Sequence, residues 1–255
     1  MRNYGDKITL VKNRRGVYDL DTSKGCFSGM FFALDGCYGD CYANKNAKRY
    51  GLDFSKTVLR GFKNSKHEKK IINQINNIDM PFIRIGCSGD PSENWGHCID
   101  ICEKLRAGTN KGIIIITKHF NYLTNEQLKR IKVLNLCINT SVSALDNNRQ
   151  LENKIKQYEI LKGFCKSVLR IVSCDFNEKD KVGTKLKLIQ EKLFQNVNTL
   201  DTVFRPSKNN EFYLLGIIKA EKVKFLDSLK LASVYNKKAY LGRCDTCPDM
   251  CGIDI

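Results

Sequence analysis

Three cysteines near the start of the chain have the side-chain type and the surroundings of a metal-binding loop. Cys26, Cys37 and Cys41 fall within GCFSGMFFALDGCYGDCYANKNAKRYG, a glycine-rich stretch that runs into a predicted helix ending before Gly51. Glycines let the backbone approach inorganic sulfide, and amides at a helix start stabilise negative charge. Three thiolates of this kind can bind a four-iron cluster and leave one iron open. A structural zinc loop is the alternative.

A second set of cysteines lies at the other end of the sequence. Cys244, Cys247 and Cys251 follow a C-x2-C-x3-C spacing, and Pro248 and Gly252 shape the loop between them. Tight thiolate spacing in a reducing compartment indicates metal binding, so we expect an auxiliary iron-sulfur cluster, with zinc or redox-active thiols as alternatives. The candidates for a fourth ligand are Cys87, Cys98, Cys102 and an atom of the substrate.

Composition limits the class of protein. The chain has 255 residues, which suits one large domain or one domain with a small appendage. It has no apolar segment of the ~20 residues that a membrane span needs and begins without a signal-peptide pattern, so we expect a cytoplasmic protein with no membrane contact. Its 12 cysteines then favour metal binding over disulfides. A net charge of +16 favours a polyanionic partner, although biased composition is an alternative explanation.

The elements that must position these residues follow a strand and helix rhythm. Hydrophobic runs that predict strands, each followed by polar residues and an amphipathic stretch, occur within 81–92, 112–120, 136–146, 167–177 and 200–207. Helices are expected over 65–77, over 92–107, after a capping box formed by Thr124 and Gln127, and along the apolar stripe of Leu151, Ile155 and Tyr158. This alternation predicts an α/β protein with a parallel sheet, whose polar loops gather at one edge.

Around the first cysteines the sequence resembles the radical S-adenosylmethionine superfamily, and the resemblance covers most of the chain. The usual C-x3-C-x2-C signature is widened here to ten residues between Cys26 and Cys37 and three between Cys37 and Cys41. The CYA ending at Cys41 and the phrases IGCSGDPS, INTSVSALD and CPDMCG look like uncharacterised bacterial and phage members. The resemblance implies a partial (βα)6 TIM-like barrel over 1–240 and a cysteine-rich auxiliary tail over 241–255. It also implies that the open iron binds S-adenosylmethionine, whose reductive cleavage gives a 5′-deoxyadenosyl radical.

The resemblance assigns further residues to the cofactor. Ser88, Gly89 and Asp90 match the position of a glycine-rich motif that pairs with the amino group of S-adenosylmethionine, and Tyr42 belongs to the CYA ending. Carbonyl and carboxylate oxygens there can accept hydrogen bonds from an ammonium group. A turn followed by a helix cap built on Asp90 is an alternative that does not exclude this role.

Polar residues inside the later strands are further candidates. Asn139 and Ser141 share one strand face with Ser143, and we expect the first two to contact the cofactor; the alternative is that these side chains satisfy loop backbone. Arg170 lies inside a strand, and a buried guanidinium needs an anion. It could clamp the S-adenosylmethionine carboxylate or form a salt bridge with Asp175 or Asp90.

Two residues after strands are candidates for substrate binding. Arg205 could hold the cofactor carboxylate or an anionic substrate such as a phosphate. His119 and Trp95 could stack on the substrate or transfer a proton at the rim, whereas a buried structural histidine is the alternative. Cys98 and Cys102 share a helix face and fit the core better than a metal site. Of the remaining cysteines, Cys137 and Cys165 are expected in the core. Cys87 and Cys174 lie beside polar strand ends, and the sequence does not decide their role.

These features predict a radical enzyme that modifies a nucleic acid or nucleotide, with an electron donor such as flavodoxin or ferredoxin. The positive charge then positions the polyanion. A peptide-modifying radical enzyme and a noncatalytic, zinc-bearing nucleic-acid-binding protein are the alternatives.

Overall fold

The protein is an α/β structure, seen in a computed structural model that describes residues 6–32 and 36–253. The strands are β1 Asp6–Lys7, β2 Val11–Lys12, β3 Tyr18–Asp19, β4 Ser23–Lys24, β5 Val58–Gly61, β6 Phe82–Ile85, β7 Gly112–Thr117, β8 Leu136–Val142, β9 Lys166–Ser173, β10 Asp175–Phe176, β11 Thr199–Val203, β12 Ile218–Lys219, β13 Glu221–Phe225 and β14 Ser228–Ala232. The helices are α1 Phe27–Phe32, α2 Tyr42–Arg49, α3 Ser65–Asn76, α4 Trp95–Arg106, α5 Asn125–Leu134, α6 Asn148–Leu161, α7 Lys181–Phe194 and α8 Glu211–Leu214. None of the helices in these ranges is long and apolar enough to cross a membrane.

The central sheet has seven strands in the order β11-β9-β8-β7-β6-β3-β2. All neighbours pair in parallel except β2 and β3, which are antiparallel. Each of the five hydrophobic runs overlaps one of these strands, so the predicted α/β class and parallel sheet are confirmed. Within the described residues β11 and β2 have one partner each, so the sheet is open and no closed barrel is formed.

Helices cover one face of the sheet because alternate strand residues on that face are apolar. Val142 of β8 and Leu169 of β9 cluster with Tyr158 of α6 and Leu193 of α7. Strand side chains alternate between faces, so the residues next to these point to the opposite face. The predicted capping box is confirmed at the start of α5, where the cap and Gln127 exchange hydrogen bonds.

The opposite face of the sheet carries the C-terminal segment 241–253, which we call the tail. The Asn139 side-chain amide donates to the Cys251 carbonyl at 3.0 Å. A Cβ at Gly252 would lie 2.8 Å from a methyl group of Val168, so the tail backbone approaches the sheet as closely as glycine allows. The end of the tail is therefore packed against β8 and β9 of the main sheet.

Smaller sheets complete the structure. β5 pairs with β1 and β4, β10 pairs with β12, and β13 and β14 form a hairpin. The strand β4 leads into the first cysteine loop, and an isolated bridge joins Gly25 to Gly89. This bridge attaches the cysteine loop to the loop that follows β6.

Candidate functional site

Cys26, Cys37 and Cys41, the first cysteine group, are gathered around gaps left by two glycines. A Cβ at Gly29 would lie 2.8 Å from Cys26 Sγ and 3.6 Å from Cys37 Sγ, so both sulfur atoms surround the space that this glycine leaves. The Gly29 amide donates to Cys26 Sγ at 3.3 Å. Gly36 has a φ of +78°, and a Cβ there would lie 2.4 Å from Cys41 Cβ. Larger residues at these two positions would push the cysteines apart.

The first cysteine group lies beside loops that follow the parallel strands. Asp90 follows β6, and its carboxylate accepts from Thr117 Oγ1 and from the Lys118 amide, both at 2.8 Å. Cys26 is 7% exposed. Burial, and then the nearby Asp90 carboxylate, raise the pKa of the Cys26 thiol. Forming a thiolate there requires a cation, and a bound metal supplies one while the proton is released.

A buried network of charges holds the turn that carries Cys37. Tyr38, at a φ of +60°, donates through its hydroxyl to Asp146 at 3.0 Å. The Lys118 ammonium donates to the same hydroxyl and lies 4.0 Å from the centre of the Tyr38 ring. Lys154 binds Asp146 at 2.7 Å, and both side chains are 4% exposed. The network fixes the Cys37 turn against the ends of β7 and β8.

The charges of this network also act on Cys37. Burial raises the pKa of the Cys37 thiol, and the Lys118 ammonium opposes that rise. Although burial works against it, Lys118 and Lys154 lower the pKa of Asp146. Burial lowers the pKa of Lys154. Among the charges that lower the pKa of Cys37, Lys118 thus has the largest effect.

The predicted cofactor loop lies directly beside Cys26. Asp90 caps the short helical turn after it, accepting from the Ser92 amide at 2.9 Å, so the cap expected as an alternative is formed. The Ser88 carbonyl accepts from the Gly25 amide at 3.1 Å. A Cβ at Gly89 would lie 2.6 Å from the Gly25 carbonyl oxygen. The loop is brought to the cysteines, but both oxygens of Asp90 already accept hydrogen bonds from the protein.

The remaining cofactor candidates, Tyr42, Asn139 and Ser141, do not all lie beside the same cysteine group. Tyr42, directly after Cys41, has an exposed side chain whose hydroxyl donates to the Cys87 carbonyl. Ser141 is 7% exposed. Asn139 holds the tail through its bond to the Cys251 carbonyl. Tyr42 is therefore beside the first cysteine group, whereas Asn139 binds the backbone of Cys251, one of the C-terminal cysteines.

Cys244, Cys247 and Cys251, the second cysteine group, line a cavity of about 60 Å³ together with four arginines. The four arginines are Arg15, Arg84, Arg170 and Arg205. The Cys244 amide donates to the Arg15 carbonyl at 2.6 Å, so backbone from both ends of the chain forms the wall. Burial raises the pKa of the Cys244 and Cys247 thiols.

The four guanidinium groups differ in their partners. Arg84 donates to Asp19 at 2.9 Å, and Arg15 donates to the Gly242 carbonyl at 3.0 Å. Arg205 lies 4.5 Å from the centre of the Phe225 ring.

No hydrogen bond or ion pair joins the Arg170 guanidinium to any other described residue, so the expected alternative of a salt bridge to Asp175 or Asp90 is not formed. Burial lowers the pKa of Arg170, and the nearby Arg84 adds to the decrease. Burial, then Arg15 and Arg170, lower the pKa of Arg205 to about 10, even though part of this side chain is exposed. Arg170 faces the second cysteine group rather than the first.

His119 lies inside the protein. It is 3% exposed, its ring centre is 5.5 Å from that of Trp95, and its Nε2 is 3.0 Å from Thr140 Oγ1. Burial lowers the pKa of His119 to about 3, so the ring is neutral at physiological pH. This placement matches the alternative of a buried structural histidine; contact with a substrate would require the ring to become exposed.

Of the three cysteines considered as a fourth ligand, Cys98 and Cys102 are fully buried in the main core cluster on α4. Cys87 instead donates to Asp19 at 3.1 Å beside Arg84. It is the candidate near the second cysteine group. Across residues 6–32 and 36–253, no three or more His, Cys, Asp or Glu side chains are close enough together to hold a single metal ion.

A larger depression lies away from both cysteine groups, with a volume of about 680 Å³. Its polar side chains already have partners: Arg106 donates to the Leu134 carbonyl at 3.0 Å, and Lys111 donates to the Ile78 and Met80 carbonyls. Size alone does not make it a functional site, because its charged groups are used to hold backbone.

Several important residues had no assigned role in the sequence. Arg84 stands in an apolar strand run, as Arg170 does, so the same argument about buried guanidinium groups would have found it. Lys118 directly precedes His119 at a strand end. Lys154 resembles an ordinary surface lysine on an amphipathic helix and gave no signal.

The arrangement as a whole provides two sets of thiols on one sheet. The first set lies beside the loops at the carboxyl ends of the strands, where parallel α/β proteins bind ligands. The second set belongs to the tail and faces an excess of arginine. Comparisons with protein-family models, curated proteins and solved structures found no match for this chain.

Proposed function

We propose that the protein is a radical S-adenosylmethionine enzyme whose catalytic four-iron cluster is bound by the first cysteine group. The observation that carries the proposal is the position of the Cys26 and Cys37 sulfur atoms around the space left by Gly29, with Cys41 at a tight turn beside them. Six parallel strands with helices on one face fit an open, partial (βα)6 barrel. Three soft thiolate ligands suit iron and sulfide.

When bound, the cluster supplies one electron that breaks the S–C5′ bond of S-adenosylmethionine, giving methionine and a 5′-deoxyadenosyl radical, with a flavodoxin- or ferredoxin-type donor as the electron source. The protein's own residues prepare the site. Lys118 offsets the negative charge of a Cys37 thiolate. Burial of Cys26 keeps water from its sulfur. The Ser88–Asp90 loop, attached to the chain at Gly25, borders the space where the cofactor binds.

The substrate in this proposal is a nucleic acid or nucleotide. The net charge of +16 attracts polyanions over long range. Four arginines around one cavity add a local preference for an anion. An uncharged or basic peptide would gain nothing from either feature. The second cysteine group is the proposed site of the auxiliary cluster because of its C-x2-C-x3-C spacing. Three thiolate ligands would leave one iron of such a cluster open, and the arginines remain for the substrate.

Radical formation tests the proposal directly. Anaerobically reconstituted protein, given S-adenosylmethionine and dithionite, should produce 5′-deoxyadenosine. Cys41→Ala should abolish it, whereas Cys165→Ala, which removes a thiol outside both groups, should not. Cys247→Ala should retain 5′-deoxyadenosine formation while iron falls from about eight to about four atoms per chain, as expected for two clusters of four irons.

The opposite results would contradict the assignment. Iron-replete protein that forms no 5′-deoxyadenosine would remove the radical function. Purified protein that holds zinc in place of iron, and binds nucleic acid without reacting, would favour the noncatalytic alternative. A substrate that proves to be a peptide would be compatible with the proposed radical chemistry. It would contradict only the proposal that the substrate is a polyanion.

A further inference from the structure

The cavity under the tail concentrates positive charge that the protein itself does not neutralise. Of its four arginines, Arg84 alone has a carboxylate partner among the described residues, namely Asp19. Arg15 is bound to a backbone carbonyl, Arg205 rests on an aromatic ring, and Arg170 has no polar partner in that part of the chain. Positive charges gathered around one cavity repel one another, and a bound anion relieves that repulsion, so a site of this kind suits an anion.

Two carboxylates also line the cavity, and they do not cancel this charge. Asp201 accepts from Ser173 at 2.5 Å through one oxygen, and its other oxygen is buried without a partner among the described residues. Asp249 is the second carboxylate in the wall. Neither forms an ion pair of 4.0 Å or less with a cavity arginine in the described ranges. A ligand that pairs with the arginines and also brings a hydroxyl or amino donor would suit this wall.

The size of the cavity restricts the anion. A volume of about 60 Å³ exceeds the ~10–15 Å³ that one water molecule needs on this measure, yet it is far below the ~300–1,000 Å³ of pockets that enclose whole drug-sized ligands. It therefore suits a single small group. Arginine pairs with phosphate oxygens in a bidentate manner, and several guanidinium groups match a doubly charged phosphate better than a singly charged carboxylate.

We infer that this cavity binds the terminal phosphate monoester of a nucleotide substrate. Its position supports the inference: the hydroxyl of Tyr42, which directly follows Cys41, donates to the Cys87 carbonyl, and the Cys87 thiol donates to Asp19, the partner of the cavity residue Arg84. A phosphate held by the arginines would leave the rest of the ligand free to extend along Tyr42 toward the first cysteine group. The role as a substrate subsite rests on the proposed function, whereas binding of the phosphate does not.

Calorimetric titration of the reconstituted protein tests the site. Inorganic phosphate and a nucleoside 5′-monophosphate should bind, and the matching nucleoside without phosphate should bind at least tenfold more weakly. Arg170→Gln should weaken phosphate binding about tenfold or more, as loss of charged hydrogen bonds predicts. Arg205→Gln, at a more exposed position, serves as a second variant if the first fails to fold. Lys69→Gln, an exposed lysine on α3, is the matched control and should bind like wild type.

Three outcomes overturn the inference. The first is wild-type protein that does not bind phosphate, and the second is a pair of arginine variants that both bind it as tightly as the Lys69→Gln control. An oligonucleotide without terminal phosphates that binds as tightly as the monophosphate, and loses affinity equally in Arg170→Gln, would replace the monoester with a nucleic-acid backbone. Phosphate binding without 5′-deoxyadenosine formation would contradict the proposed function alone. Formation of 5′-deoxyadenosine without phosphate binding would contradict this site alone.

Discussion

The two cysteine groups are held by different kinds of structure. The first depends on side chains: glycine gaps place its sulfur atoms, and a buried network through Asp146 and Lys154 fixes the turn at Cys37. The second depends on backbone: the Cys244 amide binds the Arg15 carbonyl, and the Cys251 carbonyl is held by a strand side chain. The first group should therefore respond to changes in charge, and the second to changes in how the tail packs.

Charge is also distributed differently around the two groups. Near the first, Lys154 pairs with the carboxylate of Asp146, and Lys118 donates to the Tyr38 hydroxyl, which donates to the same carboxylate. Near the second, only Arg84 of the four arginines has a carboxylate partner in the described residues. An added anion has a place beside the second group, whereas the first already has internal counterions.

Removing Lys154 should have the largest effect on stability. Lys154→Met leaves Asp146 as a buried charge without its ion pair, which should lower the free energy of unfolding by about 3–5 kcal/mol. The double variant with Asp146→Asn should recover much of the loss. Urea denaturation at pH 7 measures both. Lys162→Met, which breaks an exposed pair with Glu159, is the control and should cost about 0–1 kcal/mol. Equal losses in Lys154→Met and Lys162→Met would contradict the structural role of the network.

His119, next to Lys118, should make the same strand end sensitive to acid. Its pKa falls from 6.5 to about 3 on folding, so between those values the unfolded chain takes up a proton that the folded protein does not. His119 therefore leaves the free energy of unfolding unchanged above pH 6.5. Below pH 6.5 it lowers that free energy by about 1.4 kcal/mol per pH unit, which amounts to about 2 kcal/mol at pH 5. His119→Asn tolerates the φ of +49° and should lack this decline. Identical pH dependence of unfolding in both proteins would refute it.

Loss of the Asn139 amide should loosen only the tail. Asn139→Ala removes the hydrogen bond to Cys251 and should cost about 1 kcal/mol. Labelling of the second cysteine group by a thiol reagent, followed by mass spectrometry of its peptides, should accelerate, while labelling of Cys26 stays unchanged. Asn121→Ala is the matched control, because its amide donates at 2.9 Å to the Ser92 carbonyl beside the other loops. Equal acceleration at both groups in Asn139→Ala would show that they are not held independently.

Local signals in the sequence were enough to predict the sheet but not the tail. The strand runs and the capping box at Thr124 depend on neighbours a few residues away, so they can be recognised directly. The tail's position depends on contacts such as Gly252 with Val168, whose partners are far apart in sequence. The same limit applies to Lys154, because only its packing against Asp146 distinguishes it from a surface lysine.

The antiparallel edge strand β2 and the hairpin of β13 and β14 were also missed, because both are short and rich in lysine. Among the candidate site residues, alternation correctly grouped Asn139 with the face opposite the helices. Alternation could not predict which cysteine group lies against that face. This depends on the path of the tail across the sheet, which only the folded structure shows.

The bond between the Arg15 side chain and the Gly242 carbonyl joins residues 227 positions apart. On the ribosome, the strands of the main sheet emerge well before that carbonyl exists, so the sheet face bearing Arg84 and Arg170 stays uncovered until residues 241–253 have been made. Closure of the tail over this face is thus a long-range step, which is slow compared with local steps such as helix formation. Any metal delivered to Cys244, Cys247 and Cys251 must therefore bind after the strands of the main sheet have been synthesised, whereas Cys26, Cys37 and Cys41 leave the ribosome before that sheet is complete.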